Sequence, residues 1–280
     1  MDSSTVDKYE IIDGVRCYAP SLAKGNNDFD ASSFEKLYSL EEKNFWFRTR
    51  NKIIKRLVGK YFGKERDGKF LEIGCGTGYV LKGLEEFERL ELYGAEIYLE
   101  GLKYAKKRLP EVEFVQLDAT EMPYRNEFEC IGAFDVLEHI ERDEAAIKSI
   151  HGSLKDGGLF FISVPQYRFM WSYLDDVACH KRRYSSKELR TKLINAGFKV
   201  LYSSSFVFSL FPLMLLSRLI KGKKPERTIN SEETFQELNL NPILNRIFTA
   251  ALSIDTFLIG AGIRLPFGGS LIMVAEKRRR

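Results

Sequence analysis

What is scarce in these 280 residues narrows the field first. There are only four cysteines, Cys17, Cys75, Cys130 and Cys179, and no two stand in a C-x-x-C pair. That excludes the usual zinc and redox spacings. Cys75 and Cys130 fall inside expected core elements, so reduced thiols are expected, and with them a cytoplasmic setting. The surplus of positive charge is +4, too small for a dedicated nucleic-acid binder. Basic residues do gather at Lys181–Arg183 and at Lys277–Arg280, the latter read as a solvated end. The first eight residues lack the apolar region of a secretory leader, so none is expected. A nearly apolar run, Phe206 to Ile220, contains Pro212 and stops short of the roughly 20 residues a bilayer span requires. No internal repeat is visible. A chain of this length builds one large α/β domain with additions, or two modest ones.

What is present centres on Phe70–Leu81, which reads Phe-Leu-Glu-Ile-Gly-Cys-Gly-Thr-Gly-Tyr-Val-Leu. Its apolar start predicts a short buried strand ending at Ile73. Gly74, Gly76 and Gly78 then alternate, and an apolar helix start follows. Such a turn presents bare backbone N–H groups at a helix N-terminus and lets a nucleotide or nucleoside come close. A tight turn with no ligand is the plainer reading. The glycine spacing separates cofactors. A dinucleotide fingerprint, G-x-G-x-x-G, requires glycine at the position of Tyr79. The chain has G-x-G-x-G instead, with Glu72 two positions ahead. This stretch resembles the E-x-G-x-G-x-G motif of class I S-adenosylmethionine-dependent methyltransferases.

The resemblance implies a doubly wound, mostly parallel seven-stranded α/β sheet, with the last two strands antiparallel. It implies S-adenosylmethionine as cofactor, S-adenosylhomocysteine as product, and Glu72, Gly74, Cys75, Gly76 and Gly78 beside the cofactor. The next expected strand, Glu91–Glu96, ends in an acid 22 residues beyond Gly74, where an α/β nucleotide site places its ribose-binding carboxylate. Glu96 suits a diol because a carboxylate accepts two hydrogen bonds at once, and Ile97 adjoins it. The strand Glu113–Asp118 runs into Ala119-Thr-Glu-Met-Pro123, similar to the family's D-A-x-x-[LM]-P segment. That similarity implies adenine contacts from Asp118 and the Ala119 N–H. The helix between these strands, Leu99–Leu109, carries Lys103, Lys106, Lys107 and Arg108, read as a solvated face. Strand Cys130–Asp135 leads into Val136-Leu-Glu-His-Ile140, similar to the family's F-D-V-L-E-H-[VI], which brings Asp135 to the site. Upstream, Asn44-Phe-Trp-Phe-Arg-Thr-Arg50 reads as a helix on the core or as a lid, with Trp46 as wall and Arg48 or Arg50 paired to a carboxylate.

The domains expected are an N-terminal segment and helical cap (1–65), a cofactor-binding core (66–203 with 268–280), and a helical insertion (204–267) that is a candidate cap over the acceptor. Within the insertion, basic residues at 221, 223, 224 and 227 follow the apolar run, and Asn241–Arg264 reads as an amphipathic helix. Peripheral membrane contact through 206–227 and a homodimer contact are the open alternatives for it. The expected reaction is direct in-line methyl transfer to a small or lipid-linked acceptor, at oxygen, with a histidine base. His139 leads because it follows the fourth core strand and titrates near neutrality. His180, in the polar connection with Arg182 and Arg183, is the other candidate. Asp135, Glu138 and His139 have D-x-x-E-H spacing, similar to the E-x-x-E-H of some metal-assisted relatives, but no metal is expected. No nucleic-acid partner is favoured either. The competing functions are a binding module that holds the cofactor without transfer and a nucleotide-dependent oxidoreductase, which Tyr79 disfavours.

Overall fold

The computed structural model describes residues 8–25, 32–221 and 239–279. The strands are β1 (Glu10–Ile12), β2 (Val15–Cys17), β3 (Gly68–Ile73), β4 (Leu90–Glu96), β5 (Glu113–Gln116), β6 (Phe128–Phe134), β7 (Leu154–Pro165), β8 (Phe198–Phe206) and β9 (Ser270–Lys277). They form one sheet in the order β1-β2-β5-β4-β3-β6-β7-β9-β8. The run from β5 to β7 is parallel, and β9 lies antiparallel between β7 and β8. The seven expected strands are joined by a hairpin, so the sheet has nine among the described residues. Asp13 and Gly14, both with positive φ, make the two-residue turn that a right-twisted hairpin requires. β2 then pairs with β5 and covers what would be an open edge.

The described helices are α1 (Pro20–Gly25), α2 (Ser32–Leu40), α3 (Phe45–Tyr61), α4 (Tyr79–Leu84), α5 (Leu99–Arg108), α6 (Asp143–Ser153), α7 (Tyr173–Val177), α8 (Ser186–Asn195), α9 (Phe211–Lys221) and α10 (Pro242–Gly260). Both faces of the sheet are covered, as a parallel sheet requires. Side-chain alternation along β3 and β7 divides the core. Phe70 and Phe161 pack with Ile53, Leu57 and Leu84 on one face. Leu71 and Phe160 pack with Ile147, Ile150 and Leu193 on the other. None of the four cysteines is in a disulfide, and Cys17, Cys75 and Cys130 are buried.

Two expectations about charge are corrected. Arg108 is not on a solvated face. It is buried, and its guanidinium donates to Glu41 Oε2 at 2.9 Å, to the Thr77 carbonyl at 2.9 Å and to the Tyr38 carbonyl at 3.1 Å. Lys277 is likewise buried at the end of β9, donating to Asn126 Oδ1 and the Leu154 carbonyl at 2.7 Å each, so the solvated tail begins only at Arg278. In both cases a tertiary acceptor drew in a side chain that local sequence reads as a surface cation. Of the basic stretch expected to face headgroups, residues 223, 224 and 227 lie outside the described residues, as does the Lys221 side chain.

Candidate active site

A cavity of about 870 Å³ opens at the carboxyl ends of β3, β4, β5 and β6, where the strand order reverses between β3 and β6. Gly74 turns the chain out of β3 with φ of 64°, and a Cβ there would meet Val136 Cγ2 at 2.5 Å. Only glycine lets this turn seat beneath the segment after β6. Glu96, last in β4, is buried and holds the turn from the other side. Its Oε2 accepts from Gly76 N at 2.9 Å, and its Oε1 accepts from Ile97 N at 2.8 Å and Tyr98 N at 3.3 Å. Burial nevertheless raises its pKa. Two oxygens offer about four acceptor sites, so three backbone bonds leave room for one more donor. Asp118 caps the short turn after β5, its Oδ1 accepting from Thr120 N at 2.8 Å.

Charge is concentrated on one wall. Glu72 is buried with Oε2 lacking any partner, and burial pushes its pKa well up. The nearby positive charge is Arg50, whose Nη1 donates to Asp135 Oδ2 and whose Cζ lies 4.7 Å from the Trp46 ring centroid. Arg50 Nε is buried and unpartnered. Asp135 has a left-handed φ of 59°, an uncommon backbone state that aspartate tolerates better than most residues. Ser163 Oγ donates to the same carboxylate at 3.2 Å.

The polar connection 166–184 is stitched onto the segment after β6. Lys181 N donates to the Glu138 carbonyl at 2.8 Å, and Tyr184 Oη donates to the Leu137 carbonyl at 3.1 Å. This brings His180 and His139 edge-to-face with ring centroids 4.8 Å apart. His180 Nδ1 lies 2.8 Å from Asp175 Oδ1. Arg183 clamps the same aspartate with bonds of 2.7 and 3.1 Å, and Ser172 N adds one of 2.8 Å. These contacts hold the Asp175 pKa down to about 2, although burial opposes them. An ionised Asp175 fixes the proton on His180 Nδ1 and leaves Nε2 as an acceptor. His139 sits deeper. Burial, with His180 beside it, lowers its pKa to about 4, and it hydrogen-bonds to the Ala178 backbone. Glu138 is fully buried with neither carboxylate oxygen hydrogen-bonded, and burial with Asp135 nearby pushes its pKa well up. Glu138, His139 and His180 each offer one ligand atom, all within 4.8 Å of one another, so they could hold a cation.

Of the fourteen candidate residues, twelve line this cavity: His139, His180, Glu72, Gly74, Cys75, Gly76, Glu96, Ile97, Asp118, Ala119, Asp135 and Trp46. Gly78 and Arg48 do not. Gly78 packs against α5, where a Cβ would lie 3.4 Å from Ala105. Arg48 is exposed, whereas Arg50 lines the cavity. Residue 50 lies one helical turn beyond Trp46 and shares its face, while residue 48 points elsewhere. Sequence reasoning missed Glu41, which lines the cavity and binds Thr77 and Arg108. No local pattern marks an acid that meets its partners 36 and 67 residues away.

A family model described as a methyltransferase domain matches residues 45–203. A "probable S-adenosylmethionine-dependent methyltransferase" of Mycolicibacterium smegmatis is 27% identical over 165 residues, 58% of this chain and 62% of that protein. A demethylmenaquinone methyltransferase of Chlorobaculum tepidum is 29% identical over 131 residues, 46% of this chain and 52% of that protein. The chain therefore spans somewhat more than half the length of these curated relatives. Among solved structures, phosphoethanolamine N-methyltransferase 2 of Haemonchus contortus superposes with a TM-score of 0.58 at 16% identity, covering 91% of this chain and 59% of that one. The cyclase SpnF superposes with a TM-score of 0.55 at 18% identity, covering 82% and 81%. At such identities the likeness is one of fold.

Proposed function

This chain belongs to the methyltransferase domain family, and from that membership we propose that it moves a methyl group from S-adenosylmethionine to a hydroxyl of a small or lipid-linked acceptor. The carrying observation is the unpartnered Glu72 Oε2, buried in the cavity wall beside Arg50. The amino-acid end of S-adenosylmethionine is a zwitterion, and a carboxylate next to a guanidinium suits its ammonium and carboxylate together. Glu96 keeps one acceptor site for a ribose hydroxyl, and Asp118 offers a carboxylate oxygen for an adenine amino group. The chain's residues therefore fit the cofactor, which when bound supplies a methyl on a sulfonium. The relative named for demethylmenaquinone supports a small acceptor.

A hydroxyl must lose its proton as the methyl arrives, which calls for a base at the acceptor end of the cavity. His180 fits that role better than His139. Its tautomer is set by Asp175, while His139 is held neutral by burial and binds protons weakly. Arg183 and Ser172 keep Asp175 ionised and in place.

The cofactor site is tested by Glu96→Gln. The amide keeps the side chain's shape but loses charge and acceptor capacity, so affinity for S-adenosylhomocysteine by calorimetry should fall roughly tenfold to a hundredfold. Unchanged affinity would sink the assignment. Retention of labelled cofactor without turnover in cell extract would instead favour the binding module.

The Glu138–His139–His180 cluster favours a second reading, in which a divalent cation orients the acceptor. Two imidazoles, each with its other nitrogen engaged, and a carboxylate form a chemically suitable donor set. Dialysis against a chelator separates the two readings. Full activity is expected without metal, and a loss restored by zinc, manganese or magnesium would replace the base with the cation.

A further inference from the structure

The helix α10 turns an apolar side outward. Its inner side packs along α3 through Leu252, Thr256 and Ile259, and Arg56 donates to the Thr256 carbonyl at 2.9 Å. Asp255, also inner and fully buried, accepts from Phe208 N at 2.6 Å and Ser209 N at 3.1 Å, which ties the approach to α9 onto α10. On the outer side, Ile243, Ile247, Ala250, Ile254 and Phe257 recur at spacings of four and three residues and share one stripe. Their exposure is 67% for Ile243, 54% for Ile247, 55% for Ile254 and 67% for Phe257. Leu213 and Leu216 on α9, with Ile263 and Phe267 after α10, are exposed as well. Most of the described chain's exposed large apolar side chains thus fall within 211–267, far more than the scattered singles of an ordinary surface.

The charges around the stripe say what covers it. Among described residues 239–269, the ionised side chains are Arg246, Asp255 and Arg264, and Asp255 is buried. Within that span the exposed charges are therefore two arginines, one near each end of the helix. A two-fold contact with a second copy must complement itself, and it would set the arginines of this span against one another. An apolar partner with anionic groups at its rim can. By length and composition α10 is long and apolar enough to cross a bilayer. Crossing would strip its whole length from α3 and expose Asp255 to lipid. Lying flat keeps both contacts.

We propose that the outer stripe of α10 lies in the interface of an anionic membrane, with Arg246 and Arg264 on acidic headgroups. The contact is placed on α10, and it does not depend on the reaction assigned above. It does reach the cavity. Asn245, one turn into α10, accepts from Phe45 N at 2.8 Å and donates to the Lys43 carbonyl at 2.7 Å, and Phe248 packs on Phe45 with centroids 5.2 Å apart. The next residue, Trp46, is cavity wall. Docking of α10 thus bears on the start of α3, whose Trp46 lines the cavity.

The test is flotation of the full chain with phosphatidylcholine vesicles and with vesicles containing phosphatidylglycerol. Binding is expected to the anionic vesicles. The double variant Ile254→Asp/Phe257→Asp should lower the partition coefficient roughly a hundredfold, since two buried apolar side chains are lost. Arg246→Glu/Arg264→Glu should lower it about tenfold or more, on anionic vesicles only. All four positions are exposed, and unchanged circular dichroism with unchanged S-adenosylhomocysteine affinity off the vesicles would show that fold and cofactor site survive. Failure of the wild type to float on anionic vesicles overturns the proposal, as does equal flotation of the aspartate variant. A dimer in sedimentation that the aspartate variant dissolves, with no flotation, would assign the stripe to a second copy.

Discussion

Replacing His180 by alanine should slow methyl transfer by about 10²–10⁴-fold, while affinity for S-adenosylhomocysteine stays near wild type. The expectation rests on the Asp175–His180 pair, 2.8 Å apart, in which an ionised carboxylate fixes one ring nitrogen and leaves the other free to take a proton. His139→Ala should cost much less, because a histidine whose pKa is lowered to about 4 is a weak base at neutral pH. Asp175→Asn should fall between them. It keeps a hydrogen bond but removes the charge that orients the imidazole and stabilises the imidazolium formed during transfer. Transfer of label from the cofactor into fractionated cell extract measures all three. Normal turnover in His180→Ala with collapse in His139→Ala would exchange the two roles. Normal turnover in both would mean that the acceptor loses its proton without help, as a nitrogen acceptor can.

Arg50→Ala should cost the fold several kcal/mol of stability. Arg50 and Asp135 form an ion pair whose side chains are only 10% and 18% exposed, and Glu72 and Glu41 lie in the same wall. Removing the cation leaves Asp135 without its ion-pair partner in a poorly solvated pocket. Breaking a buried pair from one side typically costs about 3–5 kcal/mol. Urea unfolding should show that loss, and cofactor affinity should fall with it. Arg50→Lys keeps the charge but not the planar stack over Trp46, so it should recover part of the stability and little of the affinity. The double variant Arg50→Ala/Asp135→Ala should be less destabilised than Arg50→Ala alone, since the orphaned acid goes too. A loss under about 1 kcal/mol for Arg50→Ala would show that water screens this pair as it does a surface one.

Much of the core was legible because its signals are local. Gly74, Gly76 and Gly78 after an apolar strand, with Glu96 at the end of the next, mark a candidate ligand edge, and the family resemblance adds Asp118. The strands β6, β7 and β9 follow largely apolar runs, as a sheet covered on both faces requires. The hairpin partner β2 was not legible. Three residues, Val15–Cys17, are too short for a pattern, and they become a strand only by pairing with β5.

Within the candidate site the division has the same physical cause. By itself, the sequence determined which residues stand where β3, β4, β5 and β6 hand over to their turns, because backbone geometry carries strand ends to one edge of the sheet. It could not determine which arginine of α3 turns inward, that Glu41 and Arg108 meet, or that His180 joins His139. Those depend on distances closed between segments 36 to 85 residues apart, or on a connection folded back over the segment after β6. The sign of the α10 surface was decided at the tertiary level as well. Periodicity reads Asn241–Arg264 as amphipathic and would bury its apolar stripe. Asp255 binds the loop before α9 and Arg56 meets the Thr256 carbonyl, so with Leu252 and Ile259 these contacts fix the inner side, and Ile243, Ile247 and Ile254 are turned out.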